Sequence, residues 1–538
     1  MKWGLGGWLT ALAFAASVSL PAATSTANAQ PAPRRNFQFQ TVALSEWAAP
    51  GTEPGVTYGP TFFAPLLADR QVLFFAPTLS GAGVDNTNNQ AFFAGPAGGV
   101  QLAARRGAQA ADTPPGVRYQ GIEAPRVNPA GSVAFGSQLA GPGVVIGENL
   151  RGIWTGPVGA PRLVAREGDA APGTPDGVRY VVLQSGLRDL NDRGDVAFSG
   201  QLAGAGVDSS NDSGLWAGPR GAVQLVAREG ERAPGTGGNV SYGSFQFGVI
   251  TINNSGQTVF ENGLTNGVNA SNNHAIFYGP PGDVRLAVRL GQQAAGLPAG
   301  ARYESARTPT INDAGHIAFT GVAGGNSAIW AGAPDALQLV AYGGTQAPGA
   351  PEGVTYYLMG PALLSSSGGI AFTSGLRGPG TGDNDAGLFA GTAGSVSLVA
   401  RTGDAAPGTE PGVRFDDPEN FAINGAGQVV FQSPLTGQGL TDANDRGIWA
   451  FDPAAGLVLV VREGEPFDVG GGELRTIREL QFVGREGLTD AGRFGFAATF
   501  TDGSAGVFVT VVPEPAPVAI AVVAAGAVAF LRRRRAAE

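Results

Sequence analysis

A phrase ending in phenylalanine returns eight times along this chain, at Phe74, Phe135, Phe198, Phe260, Phe319, Phe372, Phe431 and Phe496. Successive copies stand 53 to 65 residues apart. A second phrase follows each copy (AFFAG, GIWTG, GLWAG, AIFYG, AIWAG, GLFAG, GIWAF, GVFVT). A third comes next, as in RLVAREGDAAPG (162–173) and QLVAREGERAPG (224–235). Self-similarity at such a period marks an architecture in which one small unit stacks on its neighbours.

The phrases dictate the unit. In INDAGHIAF (311–319), Asn312 can hydrogen-bond the backbone two residues on, and Gly315 can take the left-handed conformation that other residues resist. Asn-x-x-Gly therefore predicts a tight hairpin turn, type I with a glycine bulge, between a strand ending at Ile311 and a strand through Phe319. Alternation in HIAFTG and AIWAG puts every second residue on one face of a sheet, and LQLVAYG adds a fourth strand. The unit is a four-stranded antiparallel meander of about 60 residues, too small to bury both faces alone. It must stack as a radial propeller or as an open β repeat array. The ends discriminate: QTVALSEWAAPG (40–51) matches a fourth strand with its loop, and the last unit stops after its third, GVFVTVV. The expected fold is all-β, an eight-bladed β-propeller of four-stranded antiparallel blades, its ring closed by the N-terminal strand. The content of 86 glycines and 38 prolines suits a chain this rich in turns.

Flanking segments read as addresses. Met1-Lys2, an apolar stretch from Leu9 to Leu20 and Ala27-Asn28-Ala29 have the three regions of a secretory signal peptide over 1–29. A short linker over 30–39 precedes the repeat body, 40–512. The absence of cysteine from all 538 residues removes disulfides, thiolate nucleophiles and thiolate metal sites. Formal charge is −9. A body this acidic repels phosphate backbones, so nucleic acid is set aside as a partner. At the other end, Pro513-Glu514-Pro515 precedes an apolar run from Ala516 to Leu531 and the cluster Arg532, Arg533, Arg534 and Arg535. As a helix the run would be about 24 Å long, short for a bilayer span unless the arginines snorkel to the cytoplasmic side.

These three parts in order (513–538) resemble the PEP-CTERM protein-sorting signal. The resemblance implies export, a transient hold in the inner membrane through the C-terminal helix, and processing near Pro513-Glu514-Pro515 by an exosortase-type membrane protease. The final location would be the outer surface or the extracellular space. The repeat pattern over 40–510 resembles the NxxGxxAF tandem-repeat family of bacterial surface proteins. Its motif is clear at Asn128, Asn191, Asn253, Asn312 and Asn424, weakens at Ser365 and Thr489, and is missing from LLADRQVLFF in the first unit. That resemblance implies location and architecture, not an activity.

In a closed ring the Asn-x-x-Gly turns share one face, and the long connections share the other. The long loops gather Asp208, Asp212, Asp383, Asp385, Asp442 and Asp445, with Asp169 and Asp404 nearby. Oxygen-rich loops of this kind suit Ca2+, which takes six to eight oxygen ligands, although none has EF-hand spacing. The alternative is that Asn-Asp-x-Gly simply turns the chain. Arginines ending the fourth strand (Arg105, Arg166, Arg228, Arg289, Arg401, Arg462) are expected to pair with acids on the blade surface, and the recurring tryptophans to pack between blades. His274 and His316 fall in different slots of the repeat, so they form no pair for acid–base or metal chemistry, and no catalytic residue is assigned. The expected function is an exported cell-surface or matrix repeat protein acting as a binding or structural module, with envelope polysaccharide or a matrix protein as its partner. The alternative is an extracellular hydrolase or lyase on the same scaffold, acting on a polysaccharide-type substrate.

Overall fold

A computed structural model describes residues 37–183, 187–245, 249–382 and 385–511. The expected signal peptide (1–29), the expected sorting segment (513–538) and Asp383 lie outside the described residues. Among the described residues every regular element is a β-strand, and no helix is long and apolar enough to cross a membrane. The strands form eight small antiparallel sheets in a ring, an eight-bladed β-propeller. The fifth blade shows the plan: Tyr303–Ile311 is innermost, then Ile317–Ala323, Asn326–Gly332 and, outermost, Gln338–Tyr342.

Closure follows the expected route. Phe39–Leu44 is the outermost strand of the eighth blade, antiparallel to Ala505–Val511, with Phe39 opposite Thr510 and Leu44 opposite Gly506. Val511 lies opposite Arg493, just after the 489–492 turn. Both described ends of the chain thus leave the ring on the face of the tight turns.

Each blade has two chemically different faces. The recurring phenylalanine of the second strand sits opposite the aromatic of the third: Phe135 with Trp154, Phe198 with Trp216, Phe431 with Trp449. The rings stack at 5.7, 5.9 and 6.0 Å between centroids. A third ring from the innermost strand meets the second edge-on, as Tyr119 meets Trp154 at 5.1 Å and Phe415 meets Trp449 at 4.9 Å. Offset stacks and edge-to-face pairs are the arrangements a ring quadrupole favours. The residues beside these aromatics in sequence point to the other face, and they are small or aliphatic. Ala134, Ile153 and Ala165 of the second blade pack on Tyr180, Phe198 and Trp216 of the third in one buried cluster. The other interfaces repeat the arrangement, and the cluster holding Ala43, Ala497 and Val507 against Tyr58, Phe74 and Phe93 closes the ring. The glycine two residues before the aromatic has a steric cause: a Cβ at Gly152 would stand 2.7 Å from the Trp154 ring.

The four tryptophans of the third strands are wholly buried, and each indole N–H donates to a backbone carbonyl of the loop that leads into its own blade: Trp154 to Ala111 (2.9 Å), Trp216 to Pro172 (3.0 Å), Trp330 to Ala295 (2.9 Å), Trp449 to Pro407 (3.1 Å). They therefore brace their own blade as well as packing against the preceding one.

The Asn-x-x-Gly turns have the expected form. Gly315 N–H donates to the Asn312 carbonyl at 2.9 Å, with Gly315 at φ +76°. The asparagine side chain does more than turn the chain. Its Oδ1 accepts the N–H groups of Ala314 and His316, while its amide donates to the Ser365 carbonyl of the next blade at 3.0 Å. The same donation runs from Asn128 to Asn191, from Asn191 to Asn253, from Asn253 to Asn312 and from Asn424 to Thr489. A partial ring of buried amides thus stitches blade to blade around the axis.

The innermost strands differ from expectation. In the third, fourth, sixth and seventh blades they are broken into two pieces that pair separately with the second strand. Pro361 and Pro418 fall in two of the breaks, and Pro125 and Pro309 sit in bulges of the unbroken strands. Proline lacks the ladder donor and is tolerated at an edge or bulge, and this strand is the one with a free edge. The backbone is strained there, with Ala124 at φ +45° and Thr308 at φ +51°, a region that costs a non-glycine residue about 1–3 kcal/mol.

The Asn312 bridge can be tested against the repeat's own variation. Asn312→Ser should keep the turn, as Ser365 does in the sixth blade, and lose one inter-blade hydrogen bond, about 1 kcal/mol. Asn312→Ala should also strip the Ala314 and His316 N–H groups of their acceptor and cost more, about 2 kcal/mol. Urea midpoints at constant slope read both.

Candidate functional site

Most polar residues that repeat are absorbed by the scaffold. In the long loops Asp208 Oδ1 accepts the N–H and hydroxyl of Ser210, and the carbonyls of Asp212, Asp385 and Asp445 accept the N–H groups of Leu202, Leu376 and Leu435. Asp442 is exposed in its own loop. These acids belong to three different blades, and among the described residues no group of three or more His, Cys, Asp or Glu could hold a metal ion.

The arginines ending the fourth strand meet the expectation in part. Arg105, Arg228 and Arg462 are buried, and their Nε donates to the carbonyls of Asn88, Asn211 and Asn444 in the long loop of the same blade. Arg166 and Arg289 do the same to Asn149 and Asn272. Only Arg105, Arg401 and Arg462 also meet acids, at Glu53, Asp404 and Glu410. The loop doubles back over the strand end, so its carbonyl takes the Nε donor, while an outer nitrogen of Arg105 and of Arg462 is left for Glu53 and Glu410. The glutamate following several of these arginines is buried as well. Glu167 accepts the N–H groups of Arg151 and Leu183, Glu229 accepts the Ser213 hydroxyl at 2.6 Å, and Glu463 accepts Leu480 N–H at 2.9 Å.

Neither histidine joins a catalytic arrangement. His274 Nε2 lies 2.9 Å from the Arg307 guanidinium, and burial together with that cation lowers its pKa to about 4. It is neutral, with Nε2 as acceptor. His316 is half-buried in its turn, its backbone N–H on Asn312.

The unequal residues collect on the axis. A chamber of about 430 Å³ lies between the innermost strands of the eighth, first, second, third and fourth blades, at their tight-turn ends. Its polar groups are Arg126, Arg188, Asp189, Thr251, Arg485 and Glu486. Register explains the gathering, since Arg126, Asp189 and Thr251 each stand two residues before the turn asparagine of their blade. Asp189 is half-buried, and burial raises its pKa, opposed by Arg485 and by two backbone N–H groups. Its oxygens accept Leu190 N–H and Ile252 N–H, both at 2.9 Å. Arg126 Nε lies 3.4 Å from Glu486 Oε1, an ion pair without hydrogen-bond geometry. Arg188 Nε and Thr251 Oγ1 are buried without a partner, and burial depresses the pKa of Arg188. At the tight-turn mouth Asn254 bridges Asp192 and Asp313, and Asp490 accepts the Ser366 hydroxyl and the Gly425 N–H. Burial raises the pKa of Asp192, and the carboxylates of Asp313, Asp490 and Asp189 raise it further.

A family model described as a family of unknown function (DUF7453) matches residues 11–266 and again 145–519, and the chain belongs to that family. The two overlapping matches are what an internal repeat produces. The comparison with curated proteins returned no match. Among solved structures the chain is similar to a puromycin hydrolase (13% identity, 85% of this chain and 61% of that one, TM-score 0.37). It is similar also to the acylaminoacyl peptidase of Pyrococcus horikoshii (8%, 81% and 57%, 0.38) and to prolyl oligopeptidase B of Galerina marginata (10%, 77% and 52%, 0.39). The chain spans little more than half the length of these structures, and likenesses this distant carry no information on activity.

Glu463 supplies a pH test of the inter-blade carboxyls. Burial raises its pKa from the ordinary 4.5 to about 7. Between those values the folded protein holds a proton that the unfolded chain has released, so this group's contribution to stability falls as pH rises through the window. Melting temperatures of the native protein and Glu463→Gln, compared from pH 4.5 to 7.5, should show the native protein losing ground to the variant up to about pH 7 and none beyond.

Proposed function

We propose that this protein is an exported propeller, displayed at the cell surface through its C-terminal sorting segment, that binds a ligand rather than converting one. The observation that carries this reading is the contrast between repeated and unequal polar groups. Most repeated ones hold the ring together, while unlike polar residues, Arg126, Arg188, Asp189, Thr251, Arg485 and Glu486, line the axial chamber. A pocket of this size is ordinary for small-molecule recognition. Exosortase-type processing at Pro513-Glu514-Pro515 would release or transfer the body. Envelope polysaccharide or a matrix protein would meet the rim of long loops, which faces away from both described chain ends.

The alternative of a hydrolase or lyase would draw on Asp189 and Glu486 as an acid and base pair. Asp189 does not suit that role, because both its oxygens already accept backbone N–H groups.

The test uses the full chain. Surface labelling of intact cells should reach it, and a metabolite and glycan panel should contain a compound that raises its melting temperature. At one hundred times Kd the stabilisation is about 2.7 kcal/mol. No member of a panel of hydrolysable glycans, esters and peptides should be turned over. Turnover abolished by Asp189→Asn or Glu486→Gln would overturn the reading.

A further inference from the structure

A groove of about 790 Å³ lies between the fourth and fifth blades on the face of the long loops, and its equivalent between the first and second is about 390 Å³. Matching positions line the two: Ser271 and Thr87, Gly291 and Gly107, Arg302 and Arg118. Their difference in size has a local cause. In the second blade the loop 141–150 joins Ala140 to Arg151, whereas Gly324 and Gly325 alone join Ala323 to Asn326 in the fifth. A Cβ at Gly116 would stand 3.3 Å from Pro142 of that loop, while one at the matching Gly300 would meet nothing within 4 Å. The polar groups so uncovered can be reached, since Ser271, Gln292, Arg302 and Glu304 are exposed. Arg302 donates one N–H to the Gly291 carbonyl at 2.6 Å and keeps its other donors. Gln292 Oε1 accepts Arg289 N–H at 2.8 Å, which leaves the amide to donate. Glu304 Oε1 accepts Gly325 N–H at 3.1 Å, which leaves Oε2 to accept. An arginine on a glycine carbonyl recurs as Arg179 and Arg414, but there an aspartate, Asp169 or Asp404, follows the glycine. The second and fifth blades have Ala108 and Gln292 instead.

We infer that this groove is a subsite for a neutral polysaccharide, with a smaller copy between the first and second blades. The inference rests on the proposed binding function and names its ligand. A sugar hydroxyl both donates and accepts, and the groove answers both: Arg302 and Gln292 donate, while Glu304 and Ser271 accept. Its volume lies within the range of small-ligand sites, and a copy elsewhere on the rim lets a chain of repeated units hold at two places. Charge favours an uncharged chain. Within the groove Arg289 and Arg302 against Glu304 leave one cation in excess, with the Arg289 guanidinium held by the carbonyls of Asn272 and Thr236. Along the rim from one groove to the other, Glu148, Asp169, Asp176, Asp208 and Glu231 are exposed against Arg179 and Arg232. An acidic polymer would therefore be repelled between its two points of attachment.

Affinity electrophoresis and calorimetric titration of the full chain with dextran, amylose and galactomannan, beside alginate and polygalacturonate, test this. At least one neutral polymer should bind, with the acidic ones about tenfold weaker or more. Arg302→Gln and Glu304→Gln should each weaken it several-fold, and Arg118→Gln should weaken it less. Replacing Gly324 and Gly325 by the 141–150 loop, which the second blade already accepts, should cover the groove and remove most of the affinity while the melting temperature holds. Tighter binding of an acidic polymer, or full affinity in a folded Arg302→Gln or loop variant, would overturn the inference. If no polysaccharide binds but a metabolite raises the melting temperature, the inference falls while the binding reading stands. If nothing binds, both fall.

Discussion

The ring depends on the pairing of an aromatic face with an aliphatic one. A meander of four short strands has no interior, so each blade borrows its core from the blade on either side. The dipeptide Ala-Phe assigns one residue to each neighbour, because adjacent residues of a strand point to opposite faces. Ala134 joins the cluster shared with the third blade, and Phe135 joins the cluster shared with the first. Ile153 and Trp154 divide in the same way. Large rings on one side meet small residues on the other, so identical blades can stack in one direction and cannot pair face to face with themselves. The repeat is therefore directional, and a directional stack of wedge-shaped units closes when the last aliphatic face reaches the first aromatic one. That final interface sets Val42, Ala43 and Val507 against Phe74 and Phe93.

Polar groups are placed under the same constraint. Turns and loops at the two ends of each interface are close to a neighbouring blade, and a buried backbone group there needs a partner. Asparagine meets the need on the tight-turn face, since its side chain accepts within its own turn and donates to the next. On the long-loop face buried arginine and glutamate do the equivalent work, Arg462 gripping the carbonyl of Asn444 and Glu463 the N–H of Leu480. Charged side chains are thereby enclosed, with Arg462 and Glu463 only 3% and 5% exposed.

Much of this is legible in the primary structure, and the parts that are not share a cause. Strand order, blade number, the hairpin at Asn312 and closure by Phe39–Leu44 follow from the period and from alternation, which are local properties. The third aromatic of each blade, as in Tyr119 and Tyr303, escapes such a reading because it stands in the variable innermost strand, where bulges and prolines disturb the alternation. The arginines are visible as a repeat, yet their partners are carbonyls of a loop that returns from seventeen or eighteen residues upstream. The chamber is the least legible feature. Leu66 and Glu486 stand at opposite ends of the repeat region, and only closure of the ring makes them neighbours.

The position of the chamber is tied to where the repeat weakens. The asparagine stitching runs from the second blade through the fifth and resumes from the seventh to the eighth. In the eighth blade the asparagine is replaced by Thr489, and the first has neither the asparagine nor the glycine of the turn. Around this gap the blades are joined differently: Leu67 N–H donates to the Glu486 carbonyl at 2.7 Å, and Arg126 of the second blade reaches the Glu486 side chain of the eighth. Symmetric stitching needs the same residue at every blade and leaves nothing over. Where it lapses, Arg485 and Glu486 of the eighth blade and Leu66 and Leu67 of the first face the cavity, and unlike inward residues of the second, third and fourth blades complete its wall. A ring built from equal parts can acquire specificity only by breaking its own rule, and this one breaks it beside the seam that closes it.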